Sequence, residues 1–488
     1  MTFDLAVVGA GPAGMAAALA AADRGLRVVV VDEQQRAGGQ IFRRPPPSRD
    51  TAFRPSAGYA WAVGLIRRFD SDTRLTKRFG WSAVGALYDD DRPGVLELAV
   101  DRPGDGLRVI AARRLLIATG AYDLPVAFPG WTLPGVVMAG GAQTLVKAQH
   151  IAPVGDVVLA GAHPLLLLVA DGLMREGVTV REVAFAQGVP KPAELVRALG
   201  AVPGHVRMLA EAGGILAGLV RSGVRLSTRT VVTAAAGADR LERVRLSRLD
   251  GSGRTTGPAR AVEAAHLVLG YGFSPSTDLA RQLGCDLRWA SARGGWVVAH
   301  DERLRTSVPH VLVAGEPSGV AGADHARAQG TLAGLVAAAE LGRPVPAPAF
   351  AAARRAVRRA ARFATVVQRL FAPDREALGR LATPDTLICR CEAVTRADLD
   401  VCLAASPFIS GVNALKLSCR AGMGPCQGRY CESGVASVLA AARGRHIGLG
   451  GSFAAHLPIR PVPLGDLRAL DPDAAGDRPG GGEPPPGP

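Results

Sequence analysis

Short apolar runs separated by glycine turns organise the first part of the chain. Residues 5–9 are apolar, residues 10–25 are rich in alanine and end at Gly25, and residues 26–33 form a second apolar run closed by Asp32 and Glu33. Continuous apolar runs of this length are typical of buried parallel strands, and the alanine-rich stretch favours a helix. The pattern predicts a compact strand–helix–strand unit at the start of the chain.

The same pattern returns after residue 155. Residues 156–163 are predicted to form a strand, residues 164–177 a helix and residues 178–185 the next strand, with Gly155 and Gly177 at the boundaries. Apolar runs at 265–273 and 310–316 predict two further buried strands. Strands alternating with helices indicate an α/β protein with two Rossmann-like domains.

The last third of the chain has a different character. Residues 346–380 are predicted to be a basic helical linker, and five arginines there would share one broad face: Arg354, Arg355, Arg358, Arg359 and Arg362. Such a face can dock a partner, although charge runs more commonly form a solvated surface. Residues 381–446 carry six of the seven cysteines. Residues 447–488 contain many Pro and Gly residues, and we expect this tail to be largely disordered.

Length and charge narrow the class of protein. With 488 residues the chain suggests roughly three domains. The net charge of +14 comes almost entirely from dispersed arginines, and aromatic content is only 5%, so nucleic-acid binding ranks low. We see no signal peptide and no apolar run long enough to span a bilayer. We therefore expect a cytoplasmic protein, with any membrane association supplied by partners.

The first glycine turn carries a nucleotide-binding fingerprint. Gly9, Gly11 and Gly14 have G-x-G-x-x-G spacing, with Pro12 and Ala13 inside the motif. Glycine allows the tight turn, the approach of backbone to a pyrophosphate and the packing of helix on strand, while the helix N-terminus favours the phosphate charge. Glu33, at the end of the second strand, is the predicted ribose acceptor. Because the motif lies between a strand and a helix, it indicates a dinucleotide site.

The corresponding turn in the second unit is altered. Gly161 keeps the first glycine position, but His163 and Leu166 occupy the second and third. A side chain at the second position takes the space that the pyrophosphate needs. We therefore expect this domain to be a scaffold without nucleotide. A ribose contact by Glu182 is the alternative that would keep NAD(P) binding open.

The cysteine segment carries two close-spaced motifs. Cys389 and Cys391 form C-x-C, and Cys426 and Cys431 form C-x4-C. Four thiolates from two loops suit either a tetrahedral zinc ion or a [2Fe-2S] cluster, and zinc sites favour C-x2-C spacing. Thr395 with Asp398 predicts a capping box that opens a helix. Cys402, inside that helix, and the isolated Cys285 are interpreted as small buried residues.

The first 345 residues resemble two-dinucleotide-binding-domain flavoproteins of the glutathione-reductase type. In that family the N-terminal fingerprint holds FAD, and three further segments match in order. The matches place Gly39 and Gln40 beside the FAD, Ala118, Thr119 and Gly120 in the ATG strand, and Gly315 and Glu316 in the second FAD motif. The family normally has Asp at position 316. Glu is one methylene longer and can still accept from a ribityl hydroxyl.

The cysteine segment resembles the [2Fe-2S] domain of bacterioferritin-associated ferredoxin. The resemblance implies that Cys389, Cys391, Cys426 and Cys431 are the cluster ligands. Cys419 departs from the family pattern, in which Thr is common at this position. It is either a substitute ligand or a bystander, and we favour the bystander.

From residue 1 to about 446, the chain resembles the α subunits of opine oxidases and of bacterial proline and D-hydroxyproline dehydrogenases, and the B subunit of hydrogen cyanide synthase. The resemblance implies FAD and [2Fe-2S] as cofactors and electron transfer in the oxidation of a C–N bond. It also implies a D-amino-acid-oxidase-like β flavoprotein as partner, and a small ferredoxin-like subunit is a second partner to test. The alternatives are an NAD(P)H-dependent reductase and a scaffold subunit without turnover.

The resemblance also implies a domain layout. The FAD-binding domain would comprise residues 1–125 and 262–345, and the NAD(P)-binding-like domain residues 126–261. A small, α-rich [2Fe-2S] domain would follow the basic linker at residues 381–446.

Overall fold

The computed structural model describes residues 1–45, 55–198, 200 and 202–467. It begins with the βαβ unit that the sequence predicts, followed by the rest of the first half of the FAD domain. The elements of this half are β1 (Leu5–Val8), α1 (Pro12–Ala22), β2 (Val28–Asp32), α2 (Trp61–Ser71), β3 (Leu75–Phe79), β4 (Ser82–Tyr88), β5 (Leu96–Arg102), β6 (Gly106–Ala112), β7 (Leu115–Ile117) and β8 (Ala121–Asp123).

A second α/β unit follows. Its elements are β9 (Val136–Met138), α3 (Ala139–Gln149), β10 (Val157–Gly161), α4 (Leu165–Arg175), β11 (Val180–Phe185), α5 (Pro192–Ala198), α6 (Val206–Arg221), β12 (Arg225–Ser227), β13 (Thr230–Ala236), β14 (Arg243–Leu249), β15 (Thr255–Glu263) and β16 (His266–Gly270).

The chain then returns to the first unit and continues into the cysteine segment. The remaining elements are β17 (Phe273–Pro275), α7 (Asp278–Gln282), β18 (Leu287–Ala290), β19 (Gly295–Val298), β20 (Val311–Val313), α8 (Ala323–Glu340), α9 (Ala347–Phe371), α10 (Arg375–Gly379), β21 (Leu387–Cys389), β22 (Val394–Thr395), α11 (Arg396–Ala405), α12 (Val412–Cys419), α13 (Glu432–Arg443) and α14 (Leu464–Leu467).

Two five-stranded parallel sheets confirm the α/β fold class. The first has the order β20–β7–β1–β2–β3 and the second β12–β11–β10–β16–β9. Strand β20, which follows the second α/β unit in the chain, forms one edge of the first sheet. Helix α8 packs beside α1 against the core of this sheet. The first sheet is therefore built from strands that lie on both sides of the second α/β unit in the chain.

One predicted domain boundary differs from the structure. The FAD domain is expected to resume at residue 262, but β16 pairs with β10 and β9 and so belongs to the second sheet. The chain returns at β17, which pairs antiparallel with β8. A buried apolar strand shows no sign in its sequence of the sheet it joins, so the pattern alone could not fix this boundary.

The C-terminal region is ordered further than the sequence predicts. The basic stretch forms the single helix α9, which packs on α8, and its Arg355, Arg358, Arg359 and Arg362 are exposed. Residues 447–467, predicted as the start of a disordered tail, instead pack along the protein. Phe453 and Ile459 are buried there, and the backbone N–H of Ile459 donates to Val84. The rest of the predicted tail, 468–488, lies outside the described residues.

Candidate functional site

The first glycine turn is built as its sequence predicts. Gly9 has φ +107°, and a Cβ there would overlap the carbonyl oxygen of Ala118; a Cβ on Gly14 would overlap the carbonyl oxygen of Gly9. The position of Gly11 is open, because a Cβ would meet only the Cα of Gly39, at 3.9 Å. The turn thus packs tightly on both sides and leaves clear space at the N-terminus of α1, where a pyrophosphate would benefit from the helix dipole.

The other predicted FAD segments surround this turn. Gly39 lies against Gly11, and Gly315 lies against Ala13 of α1. The Thr119 hydroxyl donates to the carbonyl of Ser276 at 2.7 Å, so the ATG strand is joined to the returning chain. The structure brings Gly9, Gly11, Pro12, Ala13, Gly14, Gly39, Ala118, Thr119, Gly120 and Gly315 to one edge of the first sheet. Gln40 is exposed, and its side chain accepts from Arg43 at 2.5 Å.

The two acidic residues at the end of β2, Asp32 and Glu33, lie in different environments. Asp32 is buried and its carboxylate accepts from the backbone N–H of Ala10 at 2.5 Å and of Gln34 at 2.7 Å. Burial raises its pKa to about 6. Glu33, the predicted ribose acceptor, is exposed and forms an ion pair with Arg460 of the C-terminal segment. Asp32, the last residue of β2, is not singled out by the sequence pattern, and a ribose contact by Glu33 stays a prediction.

Glu316 lies in the turn before α8. Its carboxylate accepts from the backbone N–H groups of Ala321 at 3.2 Å and Gly322 at 3.0 Å. Desolvation raises its pKa to about 7, and these two hydrogen bonds oppose the shift. The carboxylate therefore organises the turn that opens α8, and its contact with a ribityl hydroxyl stays a prediction.

The second glycine turn is filled by protein. His163 Nδ1 accepts from the backbone N–H of Leu165 at 3.1 Å, and its ring packs edge-on against Phe273 at 5.0 Å between centroids. Desolvation lowers the pKa of His163 to about 4, so the imidazole is neutral at pH 7. Glu182 lies within β11, is 2% exposed and pairs with Arg260. A neutral ring thus takes the place of the glycine, and Glu182 is buried away from the turn.

The four predicted ligand cysteines form two thiol pairs. The Cys431 thiol hydrogen bonds to Cys389, which lowers the pKa of Cys389 to about 5, and Cys391 hydrogen bonds to Cys426. The pairs interact electrostatically, Cys389 with Cys391 and Cys426 with Cys431. The backbone N–H of Gly422 points at Cys389 Sγ at 3.5 Å. All four sulfurs thus lie in one neighbourhood, with an amide directed at one of them.

This donor set suits a soft metal centre, since sulfur ligands with nearby amide donors are typical of iron–sulfur sites. Across the residues that the structure describes, no group of three or more His, Cys, Asp or Glu side chains has the arrangement of a formed metal site. The capping box of Thr395 and Asp398 is confirmed at the start of α11. The thiols therefore fit the cluster by chemistry and proximity, and their role as ligands stays a prediction.

The cysteine segment contacts the flavin-type domain close to the predicted FAD site. Arg429, between Cys426 and Cys431, lies over the ring of Tyr122 at 5.2 Å, and Tyr122 follows shortly after the ATG strand. Arg281 of α7 donates to Glu432 at 2.7 Å and to the carbonyl of Phe453 at 2.9 Å. These contacts join the two predicted cofactor regions directly, and no pattern in the sequence points to them.

Comparisons with known proteins agree with this architecture. The profile of FAD dependent oxidoreductases matches residues 4–91, and that of pyridine nucleotide-disulphide oxidoreductases matches residues 195–330. The A subunit of opine oxidase from Rhizobium meliloti is 35% identical over 96% of this chain and 88% of its own length. The HcnB subunit of hydrogen cyanide synthase from Pseudomonas aeruginosa is 35% identical over 96% of this chain and 99% of its own. The chain belongs to the family that contains HcnB and the opine oxidase A subunit.

A solved structure supports the fold of this opine oxidase family member over nearly its whole length. L-proline dehydrogenase from P. horikoshii superposes with a TM-score of 0.68 at 21% identity, covering 96% of this chain and 79% of that one. Thioredoxin reductase from T. acidophilum gives a TM-score of 0.52 at 19% identity, covering 70% of this chain and 99% of that one. These likenesses confirm the glutathione-reductase-type fold of the two α/β domains.

Family membership confirms that the protein is a flavin-dependent oxidoreductase and that FAD is its flavin. By name, both relatives are subunits of larger enzymes, so a hetero-oligomer is plausible for this family member also. Among the residues with described structure, no helix has the length and apolar character needed to cross a bilayer.

Proposed function

We propose that this family member is the FAD- and [2Fe-2S]-containing subunit that relays electrons during oxidation of an amine or imino-acid C–N bond. The substrate would be an opine, proline, hydroxyproline or glycine, oxidised on a separate D-amino-acid-oxidase-like β subunit. The observation that carries the proposal is the cysteine cluster that contacts, through Arg429, Tyr122 just after the ATG strand of an opine oxidase-like chain.

The chain's own residues would hold both cofactors. The backbone around Gly11 would receive the FAD pyrophosphate, and Asp32 would accept from the ribose hydroxyls, replacing Glu33 in that role. Cys389, Cys391, Cys426 and Cys431 would hold the cluster. FAD can accept two electrons together, whereas an iron–sulfur cluster transfers them one at a time. The two groups would therefore connect a two-electron oxidation to single-electron transfer. The Arg281–Glu432 ion pair would keep the two regions at a fixed separation.

Iron and sulfide analysis of the anaerobically purified complex tests the cluster. We expect about two irons per chain if the site is [2Fe-2S], and serine at any of the four ligand positions should remove the iron. Cys285→Ser is the matched control, because Cys285 is buried in the flavin-type domain and hydrogen bonds to Thr306 at 3.6 Å. A protein that carries zinc, or that keeps its iron in all four ligand variants, would contradict the proposal.

An NAD(P)H-dependent reductase is the second candidate, because the 195–330 match is to a pyridine-nucleotide family. The neutral His163 argues against it, since its side chain stands where the motif has a glycine and accepts from the backbone N–H of Leu165. Anaerobic titration with NADPH and then NADH, followed by visible absorbance, separates the candidates. We expect the flavin to stay oxidised with both nucleotides and to bleach once the amine donor is added together with the β subunit. Bleaching by either nucleotide alone would favour the reductase.

A further inference from the structure

Two cysteines outside the predicted ligand set meet in the cysteine segment. Cys402 lies within α11 and Cys419 is the last residue of α12, and the two helices pack together. The two thiols are near enough to interact electrostatically. Cys402 Sγ also approaches the carbonyl of Ser418 at 3.9 Å, and Cys419 Sγ donates to the carbonyl of Leu415 at 3.0 Å. The sequence pattern alone predicts only a buried apolar residue and a bystander at these positions.

Solvent reaches this pair in the isolated chain. Both cysteines are partly exposed, and neither forms a disulfide. Their neighbours Val401 and Leu417 are 67% and 74% exposed. The Cys402 contact is the more open of the two, whereas the Cys419 contact is partly buried. A small oxidant therefore has direct access to Cys402.

We propose that Cys402 and Cys419 are a redox-active dithiol that closes to a disulfide between α11 and α12 by exchange with a low-molecular-weight disulfide such as oxidised glutathione. The Cys402 thiolate attacks one sulfur of the external disulfide, whose S–S bond breaks and releases one thiol. The Cys419 thiolate then attacks Cys402 Sγ and releases the second thiol. The cysteine pair loses two electrons and two protons, and the external disulfide gains them.

Closure would act on the predicted cluster ligands through the chain that follows α12. Arg420 turns the chain in a left-handed conformation, and Gly422 then directs its N–H at Cys389 Sγ. A disulfide at Cys419 fixes the start of this turn and hence the direction of that amide. Amide hydrogen bonds to cysteine sulfur tune the potential of an iron–sulfur cluster. This coupling rests on the proposed function, whereas formation of the disulfide does not.

The experiment uses the full chain in its purified complex, equilibrated anaerobically in glutathione buffers from fully reduced to fully oxidised and then alkylated. Trypsin cleaves at Lys416, between the two cysteines, so their disulfide joins peptides 397–416 and 417–420. We expect this joined peptide in oxidised buffer and two alkylated peptides in reduced buffer. Cys402→Ser and Cys419→Ser should each abolish it, and Cys285→Ser should retain it. Free, alkylated thiols at both positions in the oxidised buffer would overturn the dithiol.

Iron content and visible circular dichroism of the same samples separate the dithiol from the cluster. We expect Cys419→Ser to keep its iron, and the cluster dichroism of the unsubstituted protein to change on oxidation while that of Cys402→Ser does not. Loss of iron in Cys419→Ser would make Cys419 a ligand and overturn the dithiol. Formation of the joined peptide in a protein without iron would support the dithiol and count against the proposed function alone.

Discussion

At the scale of single residues, two adjacent acids show how far sequence can lead. The spacing of the glycine turn predicts an acid at the end of β2, and Asp32 and Glu33 both satisfy it. Burial separates them, because Asp32 faces Ala10 of the glycine turn and Glu33 faces Arg460. The sequence alone could not show these two environments, since Arg460 comes from the opposite end of the chain. The position of His163 in the second turn, in contrast, follows from the motif alone, and its effect on nucleotide binding stays a prediction.

The raised pKa of Asp32 predicts pH-dependent FAD binding. Above a pH of about 6 the folded protein holds Asp32 ionised, and the carboxylate can accept from the ribose hydroxyls; below it the carboxyl is protonated. Loss of a hydrogen bond to a charged group costs about 1.5–3 kcal/mol. We therefore expect the FAD dissociation constant, measured by fluorescence quenching, to rise by up to about tenfold as the pH falls from about 7 to about 5, because the ionised fraction of Asp32 falls by about that factor.

Substitutions of the acidic residues would show which group causes the change in FAD binding near pH 6. Asp32→Asn should bind FAD weakly at every pH and lose the transition near pH 6, whereas Glu33→Gln should keep it. Glu316→Gln is a necessary companion, because Glu316 titrates near pH 7 and its transition must be separated from that of Asp32. An unaltered transition in Asp32→Asn would show that another group is responsible.

At the scale of elements, helices and strands that pack locally follow the sequence closely. The β1–α1–β2 unit, the altered turn before α4, the capping box of α11 and the basic helix α9 all lie where the patterns place them. Elements defined by distant partners do not. Strand β16 joins an unexpected sheet, and residues 447–467 pack against both the cysteine segment and the flavin-type domain because their few apolar side chains find pockets there.

Helix α1 provides a matched glycine comparison. Gly14→Ala would place a Cβ against the backbone of Gly9, which cannot move without disturbing the turn. We expect a loss of about 1–3 kcal/mol in the free energy of unfolding, and weaker FAD binding. Gly172→Ala in α4 meets nothing within 4 Å and should stabilise the protein by up to about 1 kcal/mol. Urea denaturation measures both, and equal effects would contradict the packing role of Gly14.

Phe453 tests the ordered C-terminal segment. Its ring is 2% exposed and lies against Gly422 and Gly428 in the cysteine loop. Phe453→Ala should reduce the free energy of unfolding by about 3–5 kcal/mol and speed the release of iron to a chelator, because the loop loses its support. Phe408→Ala is the control, since Phe408 is 92% exposed. Wild-type iron release from Phe453→Ala would show that the segment does not support the loop.

At the scale of the whole molecule, the order of domains is predictable from the sequence and their contacts are not. The motifs identify a flavin-type domain, an altered nucleotide domain and a cysteine segment in that order. The contacts that join the first to the third, Arg429 with Tyr122 and Arg281 with Glu432, link side chains more than 150 residues apart. The patterns of charge and hydropathy along the chain do not predict which distant side chains pair, so these contacts are seen only in the folded structure.

The Arg281–Glu432 ion pair allows a test of how firmly the cysteine segment is attached to the flavin-type domain. Arg281→Met keeps much of the length of the side chain but leaves Glu432 without its partner in a largely buried position. Removal of one member of a buried pair typically costs about 3–5 kcal/mol. We expect limited proteolysis to release the cysteine segment faster from this variant. Arg175→Met, which breaks an exposed pair with Asp171 in α4, should leave the cleavage rate unchanged.

The discontinuous first sheet also determines the order in which parts of the protein can fold during translation. Strand β7 must wait for β20, 196 residues later, before its outer edge is covered, and α1 must wait for α8, which begins 301 residues after α1 ends. At ordinary rates of translation this delay is roughly 10–40 s, during which the nascent flavin half exposes an unpaired strand edge at the ribosome. The six clustered cysteines emerge only after β20 and α8 have been made. A growing chain can therefore complete its flavin fold before it presents these thiols, and insertion of iron would be the later event of its maturation.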